Sequence, residues 1–130
     1  MKTRSFQNEK QTQSIFVVED NEDIGFILEF FLHEEGFQVK LLTTAAAFRN
    51  AMETELPDLI LLDVMLPDGN GLDLCQGIKR DNRVKQLPVM IMSAHADGAK
   101  VKACKAEEFI AKPFDLYALL KKIKTHLPAA

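Results

Sequence analysis

Leu59-Ile60-Leu61-Leu62-Asp63 sets four large apolar side chains in a row and ends them on a carboxylate. Successive side chains of a strand point to opposite faces. An unbroken apolar run is therefore a strand covered on both sides, as in the parallel sheets of α/β proteins. Pro57-Asp58 leads into the run, and a turn follows at once in Leu66-Pro67-Asp68-Gly69-Asn70-Gly71. Asp63 thus ends the strand at the edge where open α/β sheets collect ligands and reactive groups.

Four more strands flank it. Ile15-Phe16-Val17-Val18 runs into Glu19-Asp20-Asn21-Glu22-Asp23; Gln38 to Leu42 alternates more and belongs at a sheet edge. Val89-Met90-Ile91-Met92 is opened by Pro88 and stopped by Ser93, and Glu108 to Ala111 ends at Lys112-Pro113-Phe114. Between them lie helical stripes. The first is Ile24, Ile27, Leu28, Phe31 and Leu32, capped by Asn21 or Asp23 and closed by Gly36, with Phe26 and Phe30 read as packing residues off that stripe. The second is Phe48, Ala51, Met52 and Leu56 after Thr43 or Thr44; the third runs from Gly71 to about Asn82 through Leu72, Leu74, Cys75 and Ile78. The last, capped by Asp115, carries Leu116, Leu119, Leu120, Ile123 and Leu127. Residues 94–107 show only a weak apolar face, Val101, Ala103 and Cys104, weakened further by Gly98. Strand followed by helix, five times over, predicts a doubly wound parallel sheet with right-handed crossovers.

A chain of 130 residues suits one such domain, placed at 14–128 behind a polar, aperiodic arm (1–13) expected to be disordered. No apolar run nears the ~20 residues of a membrane-spanning helix, and no signal peptide opens the chain, so no membrane insertion is expected. Cys75 and Cys104 suit a reducing cytoplasm and small core positions. Residues 1–65 carry 5 basic and 12 acidic side chains and residues 66–130 carry 11 and 7. That asymmetry makes no basic stripe, which argues against direct nucleic-acid binding.

Four strands end in polar groups able to face one crevice: Glu19-Asp20, Asp63, Ser93 and Lys112. Singly, Lys112 reads as a surface lysine and Ser93 as a turn former. Together they are different. Carboxylates about 5 Å apart repel by roughly 3 kcal/mol per pair at an effective dielectric near 20, so a cation must join them or their pKa values must rise. A hard ion with oxygen ligands, Mg²⁺ above all, suits few carboxylates and several waters. Metal on one side, the Lys112 ammonium on the other and the Ser93 hydroxyl between them would receive a phosphoryl group. His33, His95 and His126 share no metal-ligand spacing, and Lys121, Lys122 and Lys124 read as the wet face of the last helix.

Phe16-Val17-Val18-Glu19-Asp20, Leu61-Leu62-Asp63-Val64-Met65-Leu66-Pro67 with Gly71, Met92-Ser93-Ala94 and Ala111-Lys112-Pro113-Phe114 stand in an order that resembles the receiver domain of two-component response regulators, the CheY-like family. The resemblance runs from about Ser14 to Leu127. It implies a flavodoxin-like sheet of strand order 2-1-3-4-5. It implies that Asp63 takes a phosphoryl group from a phosphohistidine, of a sensor histidine kinase or a histidine phosphotransfer protein. Glu19, Asp20 (the more direct of the pair), Asp63 and the backbone carbonyl of Met65 would hold Mg²⁺, and Lys112 would pair with the phosphoryl oxygens. Ser93 and Phe109 would be switch residues, and Met65 and His95 would tune the lifetime of the aspartyl phosphate. The output would reach a separate downstream target protein from a monomer or weak dimer without an output domain of its own. Such a domain joins in its own phosphoryl transfer and hydrolysis but is not a conventional enzyme.

The interval from Ser93 to Lys112 is shorter than is usual in that family, and Lys105-Ala106 stands where a Gly-Ala pair is common. A short or irregular fourth helix follows, which keeps a phosphorylation-independent docking module as the alternative. A haloacid-dehalogenase-like phosphatase would need an Asp where Met65 stands, and a flavodoxin-like electron carrier a Ser/Thr-rich phosphate loop in place of Glu19 to Asp23.

Overall fold

The computed structural model describes residues 12–94 and 102–128. Five strands, β1 (Ser14–Val18), β2 (Gln38–Leu42), β3 (Leu59–Asp63), β4 (Val89–Ser93) and β5 (Glu108–Ala111), form one sheet in the order β2-β1-β3-β4-β5. Every pairing is parallel. The helices are α1 (Glu22–Glu34), α2 (Ala45–Thr54), α3 (Gly71–Arg80) and a C-terminal helix (Leu116–His126). Residues 102–104 are helical; residues 95–101, within the expected fourth helix, lie outside the described residues, as does the expected arm up to residue 11.

The apolar runs divide by parity. Phe16, Val18, Ile60, Leu62, Val89 and Ile91 pack with Phe48 of α2 and Leu74, Cys75 and Ile78 of α3. Ile15, Val17, Leu59, Leu61, Met90 and Met92 pack with Leu28 and Leu32 of α1 and with Leu119 and Ile123 of the C-terminal helix. Leu59 to Leu62 are wholly buried. At about 25 cal/mol per Å² of apolar surface removed from water, each such side chain contributes on the order of 2 kcal/mol, an upper estimate because the unfolded chain also buries some area. Cys75 and Cys104 are buried and not joined in a disulfide, and burial, then the neighbouring Cys104, pushes the Cys75 thiol up.

Local chemistry sets the helix ends. Asn21, Thr44, Asn70 and Asp115 cap the four helices, each accepting a backbone N–H of the first turn. α1 stops at Gly36, whose φ of 100° only glycine adopts without strain. The Gly36 N–H donates to the His33 carbonyl (3.0 Å) and the Phe37 N–H to the Leu32 carbonyl (3.2 Å), while buried Phe37 packs in the same cluster as Leu32.

Three expectations fail. Ile27 is 49% exposed, because Gly25 lets α1 lie close on Leu41 and turns its face toward Ile24, Leu28 and Leu32. Phe26 and Phe30 do not pack into the core: they are 65% and 60% exposed and lie beside each other, centroids 6.3 Å apart. Leu56 lies beyond the end of α2 and is half exposed.

Candidate functional site

Among the described residues the buried polar side chains are Glu19, Asp63 and Ser93, and all three stand at the carboxyl ends of strands. The register explains why they meet. Val18 pairs with Leu62, so Glu19 and Asp63 are the next residues on adjoining strands; Ser93 pairs with Ala111, so Lys112 comes next on β5. One carboxylate oxygen from each of Glu19, Asp20 and Asp63 lies within 4.8 Å of the others.

Lys112 reaches into this group, its Nζ donating to Glu19 Oε1 (2.7 Å) and Asp63 Oδ2 (3.2 Å). Burial pushes the Glu19 carboxyl above its ordinary range; the Lys112 bond opposes that and the bond shared with Asp63 adds to it. Burial would lower the Lys112 ammonium, but the bond and charge of Glu19 and then Asp63 outweigh it and raise it. Three carboxylates against one ammonium leave room for a further cation, and an all-oxygen donor set suits a hard divalent ion.

The loop after Asp63 is a short antiparallel ribbon, Met65–Leu66 against Gly69–Asn70. The Gly71 N–H donates to the Val64 carbonyl (2.7 Å). Antiparallel pairs alternate between bonded and non-bonded, so the next pair, Met65 with Asn70, turns the Met65 N–H and carbonyl out of the ribbon. Met65 as a whole is 73% exposed. Gly71 is required here, since a Cβ at that position would come 2.0 Å from the Asp63 carbonyl oxygen.

Of the remaining residues singled out, Phe109 is half-buried against the cluster of α2 and α3, and His95 lies outside the described residues. Asp68, in the turn after β3, reaches with its carboxylate the N-terminus of α2, 23 residues away, which no local pattern signals. A groove of about 560 Å³ between α2 and α3, over Phe48, Leu74 and Ile78, shares no residue with the acidic cluster. No helix among the described residues is long and apolar enough to cross a membrane.

A doubly wound five-stranded sheet with carboxylates and a lysine converging at the carboxyl edge of its central strands is the architecture of a receiver module. Residues 15–124 match the response regulator receiver domain family, and the chain belongs to that family, whose members are phosphoryl-accepting signalling modules. It is 37% identical over 121 residues to the transcriptional regulatory protein GltR of Pseudomonas aeruginosa, covering 91% of this chain and 50% of that protein. The fold is similar to the signal receiver domain of a histidine kinase from Syntrophus aciditrophicus (TM-score 0.83, 28% identity, 89% and 90% of the two chains). It is also similar to the receiver domain of a sensor histidine kinase from P. aeruginosa PAO1 with a magnesium ion coordinated in the active site cleft (TM-score 0.80, 25% identity, 88% and 96%). The chain spans about half the length of curated transcriptional regulators it matches.

Proposed function

We propose that Asp63 accepts a phosphoryl group from a phosphohistidine of a sensor histidine kinase or histidine phosphotransfer protein. A carboxylate oxygen attacks phosphorus as the P–N bond breaks; the imidazole leaves with that electron pair and gains a proton, and an acyl phosphate remains on Asp63. The Lys112 ammonium turns from Glu19 to the phosphoryl oxygens in a charge-assisted bond. The Ser93 hydroxyl donates to the same oxygens, and Phe109 fills the space vacated beside β4 and β5. Glu19, Asp20, Asp63 and the Met65 carbonyl are the ligands for Mg²⁺, which when bound offsets charge on the phosphoryl oxygens. The Met65 side chain and His95 set the lifetime of the acyl phosphate. Water attacking phosphorus returns the carboxylate and releases inorganic phosphate, so the domain takes part in its own reset without being a conventional enzyme.

The signal is a changed surface read by a separate target protein in the cytoplasm, presented by a monomeric or weakly dimeric unit of residues 14–128, with no direct contact to nucleic acid. The observation that carries this reading is the convergence of two buried carboxylates on one lysine, with a third carboxylate beside them. Intact-mass analysis after incubation with a small acyl phosphate and Mg²⁺ tests it. Wild type gains one phosphoryl group and Asp63→Asn gains none. No gain in wild type, where another receiver domain labels, would favour a phosphorylation-independent docking module.

A further inference from the structure

We propose that Asp68 is a positioning residue for the Asp63 site: its carboxylate ties the tip of the loop bearing the Met65 carbonyl to the N-terminus of α2. The proposal rests on the reading of Asp63 as a metal-dependent acceptor and adds a residue that touches neither the metal nor the phosphoryl group.

The contacts are specific. Asp68 Oδ1 accepts the Ala45 N–H (2.7 Å) and Oδ2 accepts the Ala46 N–H (3.0 Å). Thr44, the cap of α2, takes the Ala47 N–H (3.0 Å). The first three N–H groups of the helix are thus satisfied, two by a residue from a different loop. A carboxylate at that end also meets the positive pole of the helix dipole. The bonds from Ala45 and then Ala46 hold the Asp68 carboxyl below its ordinary range. The ribbon comes close to the helix start at Gly69, where a Cβ would lie 3.2 Å from the Ala45 Cβ.

The base of the same loop is fixed separately. The Val64 N–H donates to the Met92 carbonyl (3.2 Å), the Gly71 N–H donates to the Val64 carbonyl, and Leu66 is buried in the core. Met65 follows the Val64 anchor and precedes buried Leu66, with the Asp68 tip three residues on. With both ends held, the outward direction of its carbonyl is set before any ligand arrives. With the tip released, the ribbon beyond Val64 is held by buried Leu66 alone, and the carbonyl between them loses part of its aim. Groups that orient a metal ligand in this way change metal affinity by about tenfold or more when removed.

Thr44 supplies the control. Thr44→Ala removes a cap from the same helix end without touching the loop. Mg²⁺ affinity by calorimetry, labelling rate with a small acyl phosphate by intact mass, and melting temperature without metal are compared for wild type, Asp68→Ala, Asp68→Asn and Thr44→Ala. Asp68→Ala and Thr44→Ala both melt a few degrees lower. Asp68→Ala alone weakens Mg²⁺ about tenfold and slows labelling with it, and Asp68→Asn, which keeps one acceptor, recovers part of both. Equal effects of Asp68→Ala and Thr44→Ala on Mg²⁺ affinity, or no effect of Asp68→Ala, would overturn the proposal. A wild type that neither binds Mg²⁺ nor labels would instead strike the phosphoryl-acceptor reading and take this one down with it.

Discussion

Lys79 and Lys112 are both mostly buried, their side chains 9% and 16% exposed, yet they stand at opposite ends of the sheet in opposite electrostatic situations. Lys79, from α3, sits by the amino ends of β4 and β5. Its three protons meet three acceptors, the carbonyls of Lys85 (3.2 Å) and Leu87 (2.8 Å) and Glu107 Oε2 (2.7 Å), and the other Glu107 oxygen accepts the Val89 N–H (2.7 Å). One charge answers one charge and each polar atom is used. At the carboxyl ends, Lys112 faces Glu19 and Asp63 with Asp20 alongside. Burial and ion pairing are common to both clusters, so neither marks the functional one. Surplus negative charge does.

That contrast can be tested by removing each lysine in turn. Lys112→Met slows phosphoryl uptake by about a hundredfold, as expected for a lost donor to developing charge, whereas Lys79→Met leaves the rate per folded molecule within about twofold. Labelling time courses separate them. In urea unfolding, Lys79→Met costs about 2 kcal/mol, below the usual cost of breaking a buried pair because Glu107 is one-third exposed, and Mg²⁺ restores none of it. Mg²⁺ at about ten times its Kd stabilises wild type by about 1.4 kcal/mol, and Asp20→Asn loses most of this; an equal gain in both would mean that the ion binds elsewhere.

The smallest effects are in pH dependence, where two glutamates differ in sign. Glu19 is raised in the folded state from an ordinary 4.5, so its contribution is fully present below 4.5 and is lost as pH rises through the folded value. Metal-free wild type should therefore lose stability relative to Glu19→Gln on going from pH 4.5 toward neutrality. Glu108, bonded to His126 and Lys122, is lowered from 4.5, so its contribution is present above 4.5 and lost as pH falls through the folded value. Glu108→Gln should flatten the acid limb of the melting curve by well under 1 kcal/mol, as for exposed pairs. Both slopes having the same sign would contradict the contrast.

Periodicity carries far in this chain because both halves of the architecture repeat. A wholly apolar strand or an i, i+3, i+4 stripe is a local signature, and five alternations leave little topological freedom. The acid pair, Asp63, Ser93 and Lys112 were legible for the same reason, each ending a readable strand. What periodicity could not convey was which side-chain atoms meet across long separations. Lys79 finds Glu107 across 28 residues, and Asp68 crosses to the start of α2; neither leaves a local pattern. Ile27 fits the helical stripe yet lies at its solvent margin, a matter of how α1 rolls on Leu41 rather than of spacing. Phe26 and Phe30 show the same limit: apolar character alone did not put them inside.

Trapping the acyl phosphate is the most direct measurement. After labelling with a small acyl phosphate and Mg²⁺, borohydride reduces an aspartyl phosphate to homoserine, which peptide mass analysis locates. The expected result is homoserine in place of Asp63 alone, and only when Mg²⁺ is present. Reduction at Asp20 or elsewhere, or none at Asp63 while another receiver domain treated alongside is converted, would contradict the assignment of Asp63 as the acceptor.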